Sequence, residues 1–158
     1  MGGNDTLLDG GNGNDTLDGG ADNDHLRGED GADTYLFGLG SGQDTIMNGD
    51  TDTLGSKADT IKFGTTLKPE DVTLSRLEYN NLLISLNGTS DQLIVEYYFI
   101  QDATSPYAVE NLLFSDGTNL DINTVKTKVL QSTNNLPVKV QQMANFVVSE
   151  NCWRFAAI

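Results

Sequence analysis

The chain is poor in several residue types, and each shortage removes a class of protein. It has one cysteine and one histidine among 158 residues. With Cys152 alone no intrachain disulfide framework can form, and with His25 alone a histidine-rich zinc centre is excluded. Basic residues are scarce, nine Lys and Arg against 23 Asp and Glu, for a formal charge of −14. Such a surface argues against nucleic acid or an anionic membrane as partner, since both are polyanions, and argues for a cation. No apolar run reaches the roughly 18 residues that a membrane span needs. No charged-then-apolar secretory leader opens the chain either. The repeat pattern starts directly after Met1, which leads us to expect a fragment of something longer.

What is abundant is glycine and aspartate, and both are unevenly placed. Residues 1–60 hold 14 of the 17 glycines and 13 of the 23 acids, against only Arg27 and Lys57. The remaining 98 residues carry 10 acids against seven bases. The chain is thus composite, an acidic Gly-rich segment followed by a more ordinary β-rich one. Within the first segment an Asp followed two residues later by an apolar or aromatic residue recurs at Asp5, Asp15, Asp24, Asp33, Asp44, Asp52 and Asp59. Three consecutive nonamers lie in register, beginning at Gly10, Gly19 and Gly28.

A helix is implausible here, because each internal Gly costs about 1 kcal/mol relative to Ala. What fits is a tight six-residue turn, Gly-Gly-x-Gly-x-Asp, with glycines supplying positive φ, followed by a three-residue strand. Alternation then points Leu17, Leu26, Tyr35 and Ile46 inward and Thr16, His25, Thr34 and Thr45 outward. One buried Leu contributes about 1.5–3 kcal/mol, less than the conformational entropy of ordering nine residues. Stacked turns also bring aspartates together, and these repel. Asp carboxylates and turn carbonyls are oxygen ligands, the flexible set that Ca²⁺ takes in preference to Mg²⁺ or Zn²⁺. The segment therefore reads as unfolded without calcium and folded with it. No EF-hand pattern is present, so the calcium reading rests on the repeats.

The nonamers resemble the GGxGxDxUx repeats of RTX proteins. That resemblance implies a right-handed parallel β-roll with several Ca²⁺ ions held between turns. Two nonamers make a full turn, so it implies stacked pairs Asp5 with Asp24, Asp15 with Asp33, and Asp24 with Asp44. It carries the carboxylate role to these aspartates and to Asp52, with Asp59 a further candidate, and carbonyl donation to Gly11 and Gly13, Gly20 and Asp22, Gly31, and Gly42. Asp22 stands where the third glycine of its repeat is expected, and Glu29 where the second glycine of the next is.

From Asp59 onward the sequence reads as strands at 59–63, 68–76, 82–86, 91–99 and 109–118, with a turn at Asn87-Gly88. The stretches DTIKF, LKPEDVTLSR and VENLLFSDGT make this part similar to the haemolysin-type calcium-binding-related domain that follows RTX repeats. The implied organisation is an all-β protein with a β-roll at 1–54, a capping domain at 55–125 and a tail at 126–158. The tail holds a short helix near 123–131, capped by Asp121 or Asn123, and a helical apolar spacing at Val140, Met143, Phe146 and Val147. By the family's pattern it is a type I secretion signal, and a helix docked on the cap is the other reading.

The implied function is a non-catalytic, calcium-binding module of a larger RTX protein, exported by the type I route of a Gram-negative bacterium and folding outside the cell beside an upstream passenger domain. The alternative is a calcium-dependent polysaccharide- or cell-surface-binding module, for which Tyr97-Tyr98-Phe99 would be the aromatic platform; half-buried strand residues are the plainer reading of those three. His25 reads as solvated and Cys152 as a small semi-buried residue. No general acid, base and nucleophile converge, so no enzyme is expected within these residues.

Overall fold

The computed structural model describes residues 7–51 and 58–134. These are mostly β, with a single α-helix and no closed barrel among them. The short strands β1 (Leu8–Asp9), β3 (His25–Arg27) and β5 (Gln43–Ile46) lie side by side in one sheet. The strands between them, β2 (Thr16–Asp18), β4 (Thr34–Phe37) and β6 (Thr60–Phe63), build a second. All of these pairings are parallel. Each Gly-rich turn thus carries the chain from one sheet to the other, so neighbours in a sheet come from every second repeat.

Register follows the apolar residue of each repeat. Leu8 faces Leu26, which faces Ile46, and Leu17 faces Tyr35, which faces Ile61. Leu17, Leu26, Tyr35, Ile46 and Ile61 are all buried in one core. Of the expected outward residues, Thr16 and His25 are exposed while Thr34 and Thr45 are half-buried.

The strands that follow do not form a separate layer. β9 (Gln92–Val95) pairs parallel with β5, placing Val95 beside Ile46, and β10 (Asn111–Leu113) pairs parallel with β6, placing Leu112 beside Ile61. Each sheet then ends in antiparallel strands, β8 (Leu82–Leu86) and β7 (Val72–Arg76) on one and β11 (Asn119–Asp121) on the other. At the ends of β4, β6 and β10, Phe37 meets Phe63 edge-on, and Phe63 stacks on Phe114 at 4.4 Å. Helix α1 (Ile122–Asn134) closes the core by burying Val125 and Val129. Its start is fixed by Asp121, whose Oδ1 accepts the Thr124 N–H at 2.8 Å.

Strand 91–99 is shorter than its composition suggests. β9 stops at Val95, and Tyr97 turns left-handed at φ 56°. Tyr97 is half-exposed and packs edge-on against Tyr107, while Tyr98 and Phe99 are buried in the core. The three residues therefore form neither a strand nor a platform. The apolar spacing at Val140–Val147 and Cys152 lie outside the described residues.

Candidate metal centre

The turns between the sheets bring the repeat aspartates into two rows. In the first row the Asp33 Oδ1 accepts the Asp15 N–H at 2.9 Å, the Asp59 Oδ1 accepts the Asp33 N–H at 2.7 Å, and the Glu110 Oε2 accepts the Asp59 N–H at 2.8 Å. In the second row the Asp44 Oδ1 accepts the Asp24 N–H at 3.0 Å. Each bond joins a carboxylate to the turn stacked before it. Asp15 is thus placed beside Asp33, and Asp24 beside Asp44. Asp5 and Asp52 lie outside the described residues.

The turn positions take the geometry the motif requires. Gly11, Gly13, Gly20, Gly31 and Gly42 all have positive φ. So do Asp22 at 84° and Glu29 at 66°, the two non-glycine residues in glycine places. Gly31 and Gly42 have a second constraint, since a Cβ there would run into the carbonyl oxygens of Gly13 and Asp22 one turn earlier. Successive turns also share a polar edge: Asn14 Oδ1 accepts the Ala32 N–H at 3.0 Å, and Asn23 Oδ1 accepts the Gln43 N–H at 2.9 Å.

This arrangement stores negative charge in a buried place. Asp24, Asp33, Asp44 and Asp59 are each at most 2% exposed. Burial, reinforced by Asp24, Asp91 and Asp18, pushes Asp44 up to about 6 against the opposing Asp24 N–H bond. Burial pushes Asp59 up to about 7, with Glu110 and Asp33 adding to it and the bonds from Asn48 and Asp33 opposing. Glu110 is also raised, chiefly by burial. The Asp15 Oδ2 is buried and has no hydrogen-bond partner among the described residues. A buried carboxylate oxygen without a donor is an acceptor waiting for a cation.

The donor set fits a hard cation. Carboxylates and backbone carbonyls are the oxygen ligands at hand, and His25 is exposed away from them. Among the described residues no three His, Cys, Asp or Glu side chains converge tightly enough to hold a metal. Two stacked carboxylates therefore need carbonyls such as those of Gly13 and Asp22 to complete a coordination shell.

Comparison with known proteins settles what these turns are. Residues 9–46 match the RTX calcium-binding nonapeptide repeat, in four copies, and residues 81–124 match the haemolysin-type calcium-binding protein related domain. Residues 9–46 are thus RTX-type calcium-binding repeats. Over 100 residues, 63% of its length, it is 44% identical to the iron-regulated protein FrpA of Neisseria meningitidis serogroup C. Those 100 residues span 9% of that relative. RTX repeats bind Ca²⁺, so calcium is the cofactor of this segment. RTX-repeat proteins are typically secreted or extracellular, and no helix among the described residues is long and apolar enough to cross a membrane. The repeat and the related domain are calcium-binding units, not catalytic ones.

Several residues of the site are absent from the repeat reading. Glu110 continues the first row into the related domain, and its Glu110-Asn111-Leu112 repeats the acid-x-apolar pattern on which Asp59-Thr60-Ile61 is built. Asp91, in Asp91-Gln92-Leu93, shares that pattern but sits two residues out of register. Its carboxylate accepts the N–H groups of Gly40 and Gly42, both at 2.9 Å. Burial opposes its charge, yet these bonds and one from Thr89 hold its carboxyl below the usual range. The polar roles of the Tyr35 hydroxyl and of Asn48 have no signal in the sequence. The Tyr35 hydroxyl donates to Asn48 Oδ1 at 2.5 Å, and Asn48 Nδ2 donates to Asp59 Oδ2 at 2.5 Å.

Proposed function

We infer that this chain is a calcium-loaded folding module, in which residues 1–54 form a right-handed parallel β-roll and residues 55–125 terminate it. The two carboxylate rows carry this reading, above all the buried Asp15 Oδ2, which has no hydrogen-bond donor among the described residues. Asp15 with Asp33, Asp24 with Asp44, and Asp5 with Asp24 are the carboxylate pairs that hold the ions, with Asp52 at the end of the repeats. Carbonyls of Gly11, Gly13, Gly20, Asp22, Gly31 and Gly42 complete the shells. Bound calcium supplies the positive charge that lets like-charged turns stack. The protein's own residues supply the spacing through N–H to carboxylate bonds and the apolar ladder behind them.

The functional consequence follows from linkage. Where calcium is scarce, the acidic repeats stay extended and fit for export. At the 10⁻⁴ to 10⁻³ M calcium that extracellular modules bind, ordering becomes favourable. Folding at the exit of a type I secretion channel would bias transport outward and present a structured end to an upstream passenger domain. Residues 126–158 would be the signal that the channel reads, with α1 as its docked beginning.

Calcium titration of the purified chain, followed by far-UV circular dichroism, tests the core of this reading. Strand signal should appear with calcium and vanish in chelator. Full strand signal in chelator, unchanged by millimolar calcium, would overturn it.

A further inference from the structure

The glycines of the three in-register nonamers fall into two physical kinds. At the second and fourth positions the backbone is left-handed, and Glu29 and Asp22 show that a side chain can stand there, although at Gly31 a Cβ would also meet the Gly13 carbonyl. The first position is glycine in all three, at Gly10, Gly19 and Gly28, although none of these has a left-handed φ. Conformation therefore does not explain them, and space does. A Cβ on Gly19 would stand 2.6 Å from Asp24 Oδ2 and 2.9 Å from Asp24 Cβ. One on Gly10 would stand 3.1 Å from both Cβ and Oδ2 of Asp15, and one on Gly28 would collide with Asp33 Oδ2 and the Tyr35 hydroxyl. In each nonamer the slot left by the missing side chain is occupied by the carboxylate five residues later.

We propose that Gly10, Gly19 and Gly28 are positioning residues for calcium, each holding the acidic ligand of its own repeat in the slot where a side chain would otherwise be. The division of labour is clearest at Asp33. Its Oδ1 is committed to the Asp15 N–H at 2.9 Å, and its Oδ2 lies over Gly28. The slot thus fixes which way the second oxygen faces. Asp44 marks the limit of the device, because the residue five places before it is Leu39, whose side chain is exposed and lies in a longer turn. The proposal rests on the calcium reading above and adds to it a second determinant beside the aspartates.

The test uses the full chain, calcium alone as probe, and two readouts, ion count by equilibrium dialysis and strand content by circular dichroism. Gly19→Ala should lose one ion, or weaken one by about tenfold to hundredfold as displaced supporting groups do, with strand content retained at saturating calcium. Gly19→Asn should be no better. Gly11→Ala is the contrast, since φ is 80° there and nothing lies within 4 Å of a Cβ. It should shift all ions together without changing their number, and Gly11→Asn should recover part of the loss because Asn tolerates left-handed backbone. If Gly19→Ala does not fold at all, Gly10→Ala decides, its looser contacts giving a smaller loss of affinity on a retained fold. A Gly19→Ala chain with wild-type ion count and affinity, recovery by Gly19→Asn, or unchanged affinity in Gly10→Ala would each overturn the proposal. A wild-type chain that takes up no calcium would instead overturn the calcium reading itself, so the two failures are distinguishable.

Discussion

The buried hydroxyl of Tyr35 offers a sharp test, because removing it leaves the metal ligands in place while unpicking the junction behind them. Tyr35→Phe keeps the ring in the Leu17, Tyr35, Ile61 ladder and deletes only the oxygen. That oxygen accepts the Gly28 N–H at 2.9 Å and donates to Asn48 Oδ1 at 2.5 Å, and Tyr35 and Asn48 are both fully buried. Two buried polar groups are left without a partner, at about 1–3 kcal/mol each, so the expected loss is about 2–6 kcal/mol. Asn48 also donates to Asp59 Oδ2 and to the Ala108 carbonyl, which ties the repeats to the strands that follow.

Calcium converts that loss into a measurable midpoint. If about three ions bind only the folded chain, a deficit of about 3 kcal/mol shared among them raises the calcium midpoint about fivefold. The number of ions should stay the same, since no ligand is touched. Urea unfolding at saturating calcium measures the stability loss, and a cycle with Asn48→Ala should return a coupling of about 1 kcal/mol or more. A Tyr35→Phe chain within about 0.5 kcal/mol of wild type, or one that loses an ion, would refute the reasoning.

Other substitutions separate the remaining contributions. Asp24→Ala should cost an ion and weaken calcium-driven folding far more than Asp9→Ala, whose exposed carboxylate only nears Arg27 at 3.7 Å; equal effects by calcium titration would sink the pairing. Leu26→Ala should destabilise the calcium-loaded chain by about 2–5 kcal/mol in urea unfolding, because it empties a fully packed rung between Leu8 and Ile46. Asp121→Ala removes the cap of α1 and should cost about 1 kcal/mol with no change in ion count. Calcium-free stability should depend on pH with a definite sign. Asp59 and Asp44 have folded values raised to about 7 and about 6, so the stability they confer is full below about pH 4 and is lost as pH rises through 6 to 7. Chelated protein should therefore unfold at a higher urea concentration at pH 5 than at pH 8, whereas calcium affinity should fall over the same acidification; a flat response in both would contradict the burial of these carboxylates.

The parts legible in the sequence are those written in periodic chemistry. The inward residues Leu17, Leu26, Tyr35 and Ile46, the turn glycines, and even the left-handed Asp22 and Glu29 follow from the nine-residue period, because a turn of fixed geometry demands the same backbone at the same place. The N-cap at Asp121 was readable for the same local reason. What could not be read is long-range. That β9 and β10 would extend the two repeat sheets depends on register between segments about 50 residues apart, which no local pattern encodes. The left-handed turn at Tyr97 was hidden behind a strongly β-forming sequence, where burial of Tyr98 and Phe99 overrides propensity. Asn48 could not be singled out among polar residues, since its role exists only where Tyr35, Asp59 and Ala108 meet.

The two rows end differently from the way they run, and this bears on how the module can fold. Within the nonamers the Asp33 carboxylate gives Oδ1 to the stacked Asp15 N–H, and in the proposed reading its other oxygen faces the ion. At the far end of the second row Asp91 spends both oxygens on N–H groups, those of Gly40 and Gly42. In the first row Asp59 does likewise, taking Asp33 N–H on one oxygen and Asn48 on the other. Charge at these rungs is thus answered by protein donors, whereas Asp15 Oδ2 has none among the described residues. A surface whose hydrogen bonds close without an ion can serve as the fixed end on which each further turn is laid. The dependence on calcium then rises with distance from Asp91 and Glu110, which is the gradient that a row of substitutions from Asp44 back to Asp15 would read out.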